Sequence, residues 1–149
     1  MRHSIIRYLL GMTLLLSWMC SSCSLETDGA DGMEGYWHLV KVDTVETGGS
    51  RDLSEQLLFW SFQVNLLEMN DRNGNHQAVL LRFDKNESVL RVYEPHLHIP
   101  SDGDPLTDDL SYLTPFGMSD TEDTFTIEQK SGSKMILYNG ILRLYFKRM

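Results

Sequence analysis

The residues able to do chemistry are few, and two clusters stand out in mid-chain. His96 and His98 flank Leu97 just after Glu94-Pro95. On an extended segment, residues two apart share a face, so the pair can offer two imidazoles to one transition-metal ion. Two ligands do not complete a site and no third is obvious; surface histidines on a loop account for the pair, and no metal is expected. Asp102, Asp104, Asp108 and Asp109 crowd around Gly103. Carboxylates beside a glycine can hold calcium, but this spacing does not follow an EF-hand loop. Capping of a helix by Asp104, together with solvation, explains them.

Catalysis finds no frame in the chain. There is no Gly-x-Ser-x-Gly elbow, no His-Glu-x-x-His and no phosphate-cradling glycine loop. Cys20 and Cys23, the two cysteines, both lie near the N-terminus, so the folded part has neither a thiol nucleophile nor a disulfide framework. The expectation is a protein that is not an enzyme, with no catalytic residue and no cofactor. A hydrolase using two carboxylates that meet only in space is the alternative.

A third group of residues concerns binding. Trp37, Trp60, Phe62, Phe83 and Phe125 are candidates to line a ligand cavity, because Trp60 and Phe62 share one apolar face of period two and the other three lie on further strand-like segments. The stripe is clearest in Leu58-Phe59-Trp60-Ser61-Phe62-Gln63-Val64-Asn65-Leu66, where every even position is apolar. That predicts one strand over 58–66 with a single buried face. Val79, Leu81 and Phe83 repeat the pattern, as do Phe125 and Ile127, and Leu142, Leu144 and Phe146. Strand-like segments at 36–46, 88–94 and 133–138 complete the set. Turn-forming runs separate them, Asp71-Arg72-Asn73-Gly74-Asn75, Asp84-Lys85-Asn86-Glu87, Ser131-Gly132 and Asn139-Gly140. The Asn-Gly pair between two alternating runs is the strongest short-range hairpin signal. Short strands joined by tight turns predict an all-β antiparallel meander, a barrel or a sandwich.

One segment breaks the rhythm. Asp104 precedes Pro105, and Leu106, Leu110 and Leu113 follow at helical spacing until Pro115 and Gly117. This predicts a short amphipathic helix over 106–113, capped by Asp104.

The N-terminus carries a different message. Arg2, His3 and Arg7 precede a run of about a dozen mostly apolar residues ending at Met19. Such a run suits a secretory signal and is too short to span a bilayer. Cys23 follows Ser21-Ser22, which resembles a lipoprotein cleavage site placed before an acylated cysteine, although the usual leucine is missing from the three preceding residues. The expected organisation is a lipoprotein signal peptide over 1–22, an acylated Cys23 with a flexible tether over 23–34, and one domain over 35–149. The resemblance implies an outer-membrane lipoprotein, periplasmic or surface-exposed. Glu26 and Asp28 resemble surface-export signals of gut Gram-negative lipoproteins, and Asp43-Thr44-Val45 resembles an O-glycosylation sequon from the same group.

Acidic residues outnumber basic ones 21 to 13. Loss of a leader containing Arg2 and Arg7 makes the balance more acidic still. Such a chain repels phosphate backbones, so no nucleic-acid partner is expected, and membrane contact is assigned to the N-terminal lipid alone.

Gly35-Tyr36-Trp37 at the head of the first strand, with a meander of about eight strands behind it, resembles the lipocalin-like domains of bacterial lipoproteins, a family of largely unknown function. The resemblance covers 35–149. It implies a β-barrel whose first-strand tryptophan plugs the closed end under an arginine of the last strand, Arg143 or Arg148. The usual helix after the last strand is missing. The resulting expectation is a lipid-anchored envelope protein binding a small apolar or amphipathic ligand inside the barrel, with the mid-chain helix across one open end. The alternative is a structural or interaction lipoprotein with a filled core, docking onto an envelope protein partner.

Overall fold

The structure is a computed structural model that describes residues 32–149. Cys20, Cys23, the leader and the tether as far as Asp31 lie outside the described residues.

Nine strands follow one another along the described residues: β1 (Gly35–Thr44), β2 (Gly49–Asp52), β3 (Leu58–Gln63), β4 (Leu66–Asp71), β5 (Val79–Lys85), β6 (Val89–Leu97), β7 (Asp123–Lys130), β8 (Lys134–Tyr138) and β9 (Leu142–Arg148). From β3 to β9 each pairs antiparallel with its sequence neighbour. β1 then pairs with β9 and with β3, closing an eight-stranded barrel. Closure removes the unpaired edges that an open sheet would expose. β2 pairs with the second half of β1 as a ninth, accessory strand, an element the sequence pattern did not announce because all four of its residues are exposed.

The alternation places the core where it was expected. Trp37, Leu39, Leu81, Phe83, Phe125, Leu144 and Phe146 face inward and are buried. Asn139-Gly140 turns the β8–β9 hairpin, with Gly140 at φ 95, a left-handed value that glycine adopts without steric cost.

Two local expectations are corrected. The stripe from Leu58 to Leu66 is a hairpin rather than one strand: β3 ends at Gln63, Val64-Asn65 turns the chain, and Leu66 begins β4 opposite Gln63. Val64 sits at φ 57 and is exposed, a costly conformation for a β-branched residue that pairing on both sides enforces. The mid-chain helix starts later and is tighter than predicted, comprising two 3-10 turns at Leu110–Tyr112 and Thr114–Phe116, with a further one at Pro100–Asp102. Asp104 caps none of them. Its neighbours are drawn to β6 instead: Leu97 donates to the Pro105 carbonyl, Thr107 donates to the Pro95 carbonyl, and Leu106 bridges His96. Asp109 does the capping, accepting from the Ser111 N–H at 2.9 Å.

Candidate functional site

At the end of the barrel where β1 begins, Trp37 is fully buried and its indole N–H donates to the Met33 carbonyl at 2.8 Å. The Arg148 guanidinium lies 5.5 Å from the centre of its ring and donates to the Glu34 carbonyl at 2.7 Å. Arg148, not Arg143, therefore covers the tryptophan. Arg143 faces outward and grips Glu128 through two hydrogen bonds of 2.6 and 2.9 Å. The hydrogen bond to Arg143 holds the Glu128 carboxyl below its usual range and raises the guanidinium in turn.

The five aromatic candidates meet in one interior. Trp60 packs against Phe62 (6.2 Å between ring centres), Phe125 (5.8 Å) and Phe146 (5.2 Å), and Phe62 meets Phe83 edge-on at 5.2 Å. Trp37 is the register partner of Trp60 across β1 and β3. These separations are those of rings in direct contact. Five clefts of about 240 to 370 Å³ among the described residues open to solvent, and none of the five aromatics lines any of them. Inward side chains of a small barrel either fill it or leave room for one ligand.

The opposite end is covered by a strap over 98–122, the β6–β7 connection. Leu113, Phe116 and Met118 turn inward and are buried. Trp60 reaches up to it, its indole N–H donating to the Phe116 carbonyl at 3.1 Å. Gly117 has no room for a side chain: at φ 90, an added Cβ would stand 2.6 Å from Leu144 Cδ2. Asp123, the one buried charged residue among the described residues, ties the strap down. It accepts from the Ser119 N–H (2.7 Å), the Ser119 hydroxyl (3.0 Å) and the Asn139 amide (3.0 Å). Asn139 also receives the N–H groups of Ile141 and Leu142. The hairpin turn read from Asn139-Gly140 is thus also a clasp, which no local pattern could have indicated because its partners lie 16 and 20 residues away.

On the outer wall, a cleft of about 320 Å³ lies across β4, β5 and β6, between Leu66, Leu80, Arg82, Glu94, His96 and Asp104. Glu94 (φ 52) and Asp104 (φ 51) line it, and both hold left-handed backbone without being glycine. Strain of this kind persists only where the surroundings over-determine it, and it gathers at functional surfaces. At Glu94 the cause is a bulge that inserts an extra residue into β6 between Tyr93 and His96. The two histidines do not converge on an open coordination site. The ring Nδ1 of His96 lies 2.7 Å from the Asp104 carbonyl, and that of His98 lies 3.3 Å from the Asp104 carboxylate. Among the described residues no three metal-ligating side chains cluster. Thr44 ends β1, half-buried beside Asp43, which pairs with Lys41 at 2.9 Å.

A family model described as a lipocalin-like domain matches residues 17–149. The fold is similar to the crystal structure of a lipocalin-like protein from Bacteroides uniformis, with 19% identity, TM-score 0.59, and 79% of this chain and 99% of that one covered. It is also similar to an uncharacterized protein from Bacteroides eggerthii, with 20% identity, TM-score 0.57, and 78% and 98% covered. Among curated proteins nothing matches. Identities this low speak for the fold alone.

Proposed function

The chain belongs to the lipocalin-like family, and from that premise we propose that it is a lipid-anchored, non-enzymatic envelope protein that works through its outer wall, docking onto an envelope component rather than storing a molecule inside. Barrels of this fold often bind small hydrophobic ligands, and they are generally binding proteins, not enzymes. The observation that favours a docking role is the interior itself: Trp60, Phe62, Phe83, Phe125 and Phe146 occupy it ring against ring, and the strap seals the far end with Phe116. The cleft across β4, β5 and β6 is the part of the wall best suited to the contact. Its strained Glu94 and Asp104 hold polar groups beside exposed Leu66, the mixture of apolar area and fixed polar groups that interfaces use. Acylation of Cys23 supplies the anchor, and the outer membrane is the location proposed for it.

Two measurements decide between docking and storage. Native mass spectrometry with solvent extraction, on the domain from Ser24 onward purified from its own envelope, should give the bare mass of that domain or the mass of a complex with a protein. A reproducible small-molecule adduct would restore the ligand-binding reading. Trp60→Ala should cost about 3–5 kcal/mol of stability in urea unfolding, as removal of a packed core ring does. A storage barrel would instead bind a fluorescent apolar probe saturably in the wild type and lose that binding in the variant. For the anchor, Cys23→Ala should abolish acyl labelling; lipid incorporation that survives it would refute the assignment.

A further inference from the structure

The net acidic charge conceals a separation of charge along the barrel axis. Lys130, Lys134, Lys147 and Arg148 gather at the end where β1 begins, near the β7–β8 turn and the last residues of β9. The strap end carries Glu46, Glu55, Asp71, Asp109 and Asp120. Within the basic group, Lys134 and Lys147 stand directly opposite each other in the β8–β9 register, both exposed. Like charges so placed destabilise a sheet. Among the described residues no carboxylate pairs with either lysine. The two also rim a cleft of about 240 Å³ on the outer wall, floored by Val40, Ile136 and Tyr145. The fold therefore maintains a pair of repelling cations beside an apolar floor.

We propose that this wall is a docking surface for an anionic membrane, with Lys134 and Lys147 receiving headgroup phosphates. The position of the chain's entry into the barrel selects a membrane as the occupant. Gly35 opens β1 against Arg148, whose Nη2 lies 3.4 Å from the point where a Cβ would stand, and Gly32 adjoins Lys130. The tether thus leaves from the rim that carries the cations. This rests on the reading that Cys23 is lipidated, because the anchor then holds that rim within reach of the bilayer. A tether converts the second contact into an intramolecular one, so an attraction too weak to bind a free protein suffices. Each surface lysine near an anionic leaflet adds to that attraction, and salt screens it. Exposed Val64, in the β3–β4 turn of the same rim, supplies an apolar contact. Total charge predicts repulsion from such a surface, whereas the charge distribution turns the basic end toward it and the acidic end away.

The test is co-sedimentation of the chain from Ser24 onward, which lacks the lipid. Residues 32–149 close the barrel, and the similar crystal structures cover little more than that barrel. Phosphatidylcholine vesicles are compared with vesicles containing about 30 mol % phosphatidylglycerol. The protein should pellet only with the anionic vesicles and be released by about 0.5 M NaCl. Lys134→Glu/Lys147→Glu should lower the bound fraction at least about fivefold, with an unchanged circular dichroism spectrum and melting temperature. Arg51→Glu, at the acidic end, should bind as the wild type does. Equal binding to both vesicle types, or undiminished binding by the folded double variant, would overturn the proposal. So would full competition by inorganic phosphate at millimolar concentration, which would assign the lysines to a free anion. Because the probe carries no lipid, these outcomes are independent of whether Cys23 is acylated.

Discussion

Asp123 shows what one buried carboxylate contributes. It is 7% exposed and receives hydrogen bonds from both the strap and the β8–β9 turn. Removing an acceptor that buried donors depend on leaves those donors unsatisfied, at about 1–3 kcal/mol. Asp123→Ala should therefore lower stability by that amount in urea unfolding and speed hydrogen exchange in residues 113–120. Unchanged exchange there would separate Asp123 from the strap. Glu128 belongs to the surface. Its carboxyl is held below its usual range by the hydrogen bond from Arg143, so the folded state binds this proton less readily than the unfolded chain. The resulting stabilisation is present above the unfolded carboxyl pKa of about 4.3 and is lost as pH falls through the lower, folded value. Stability should fall between about pH 5 and pH 3 less steeply in Glu128→Gln than in the wild type. The effect is small, because both side chains are about one-third exposed. None of these roles is visible in the sequence, where Asp123 and Glu128 differ in nothing from the other acidic residues.

The strap is the element on which local and tertiary forces disagree. Its leucine spacing reads as a helix from Leu106, yet Leu106 is 67% exposed and bridged to His96. Backbone pairing with the end of β6 takes precedence there, leaving room only for short 3-10 turns before Gly117 must pass Leu144. Such turns are the usual form of a helical segment too short to propagate. Gly117→Ala should destabilise the fold by about 1–3 kcal/mol, since the new methyl group strains a left-handed backbone and overlaps Leu144. A neutral result in thermal denaturation would mean that the strap moves aside easily. The β3–β4 hairpin teaches the complementary lesson. Its inward residues Leu58, Trp60 and Phe62 follow the stripe as read, but a stripe carries no mark at the point where a chain reverses. Val64-Asn65 lacks the glycine that would have announced the turn. Phe59 lies off the stripe and is nonetheless buried, stacked on His38 at 5.0 Å under the Arg72 guanidinium at 4.6 Å.

For the whole molecule, closure through β1 and β9 makes one continuous core from Met33 to Phe146. None of the eight strands of a barrel closed in this way can unfold alone without exposing the shared core. Tryptophan fluorescence and far-ultraviolet circular dichroism should give coincident urea transitions; separated midpoints would indicate that the strap end melts independently. The sequence by itself determined the all-β antiparallel class, most strand positions and the inward set of aromatics, because a period of two is a local property of residues facing one core. It also pointed to the lipocalin-like family through Gly35-Tyr36-Trp37. Tertiary structure alone decided which arginine covers Trp37, that the aromatics of four strands meet ring against ring, that Asn139 clasps the strap, and that Lys134 faces Lys147. Each of these joins residues distant along the chain, and their meeting depends on strand register and barrel closure, which local pattern does not encode.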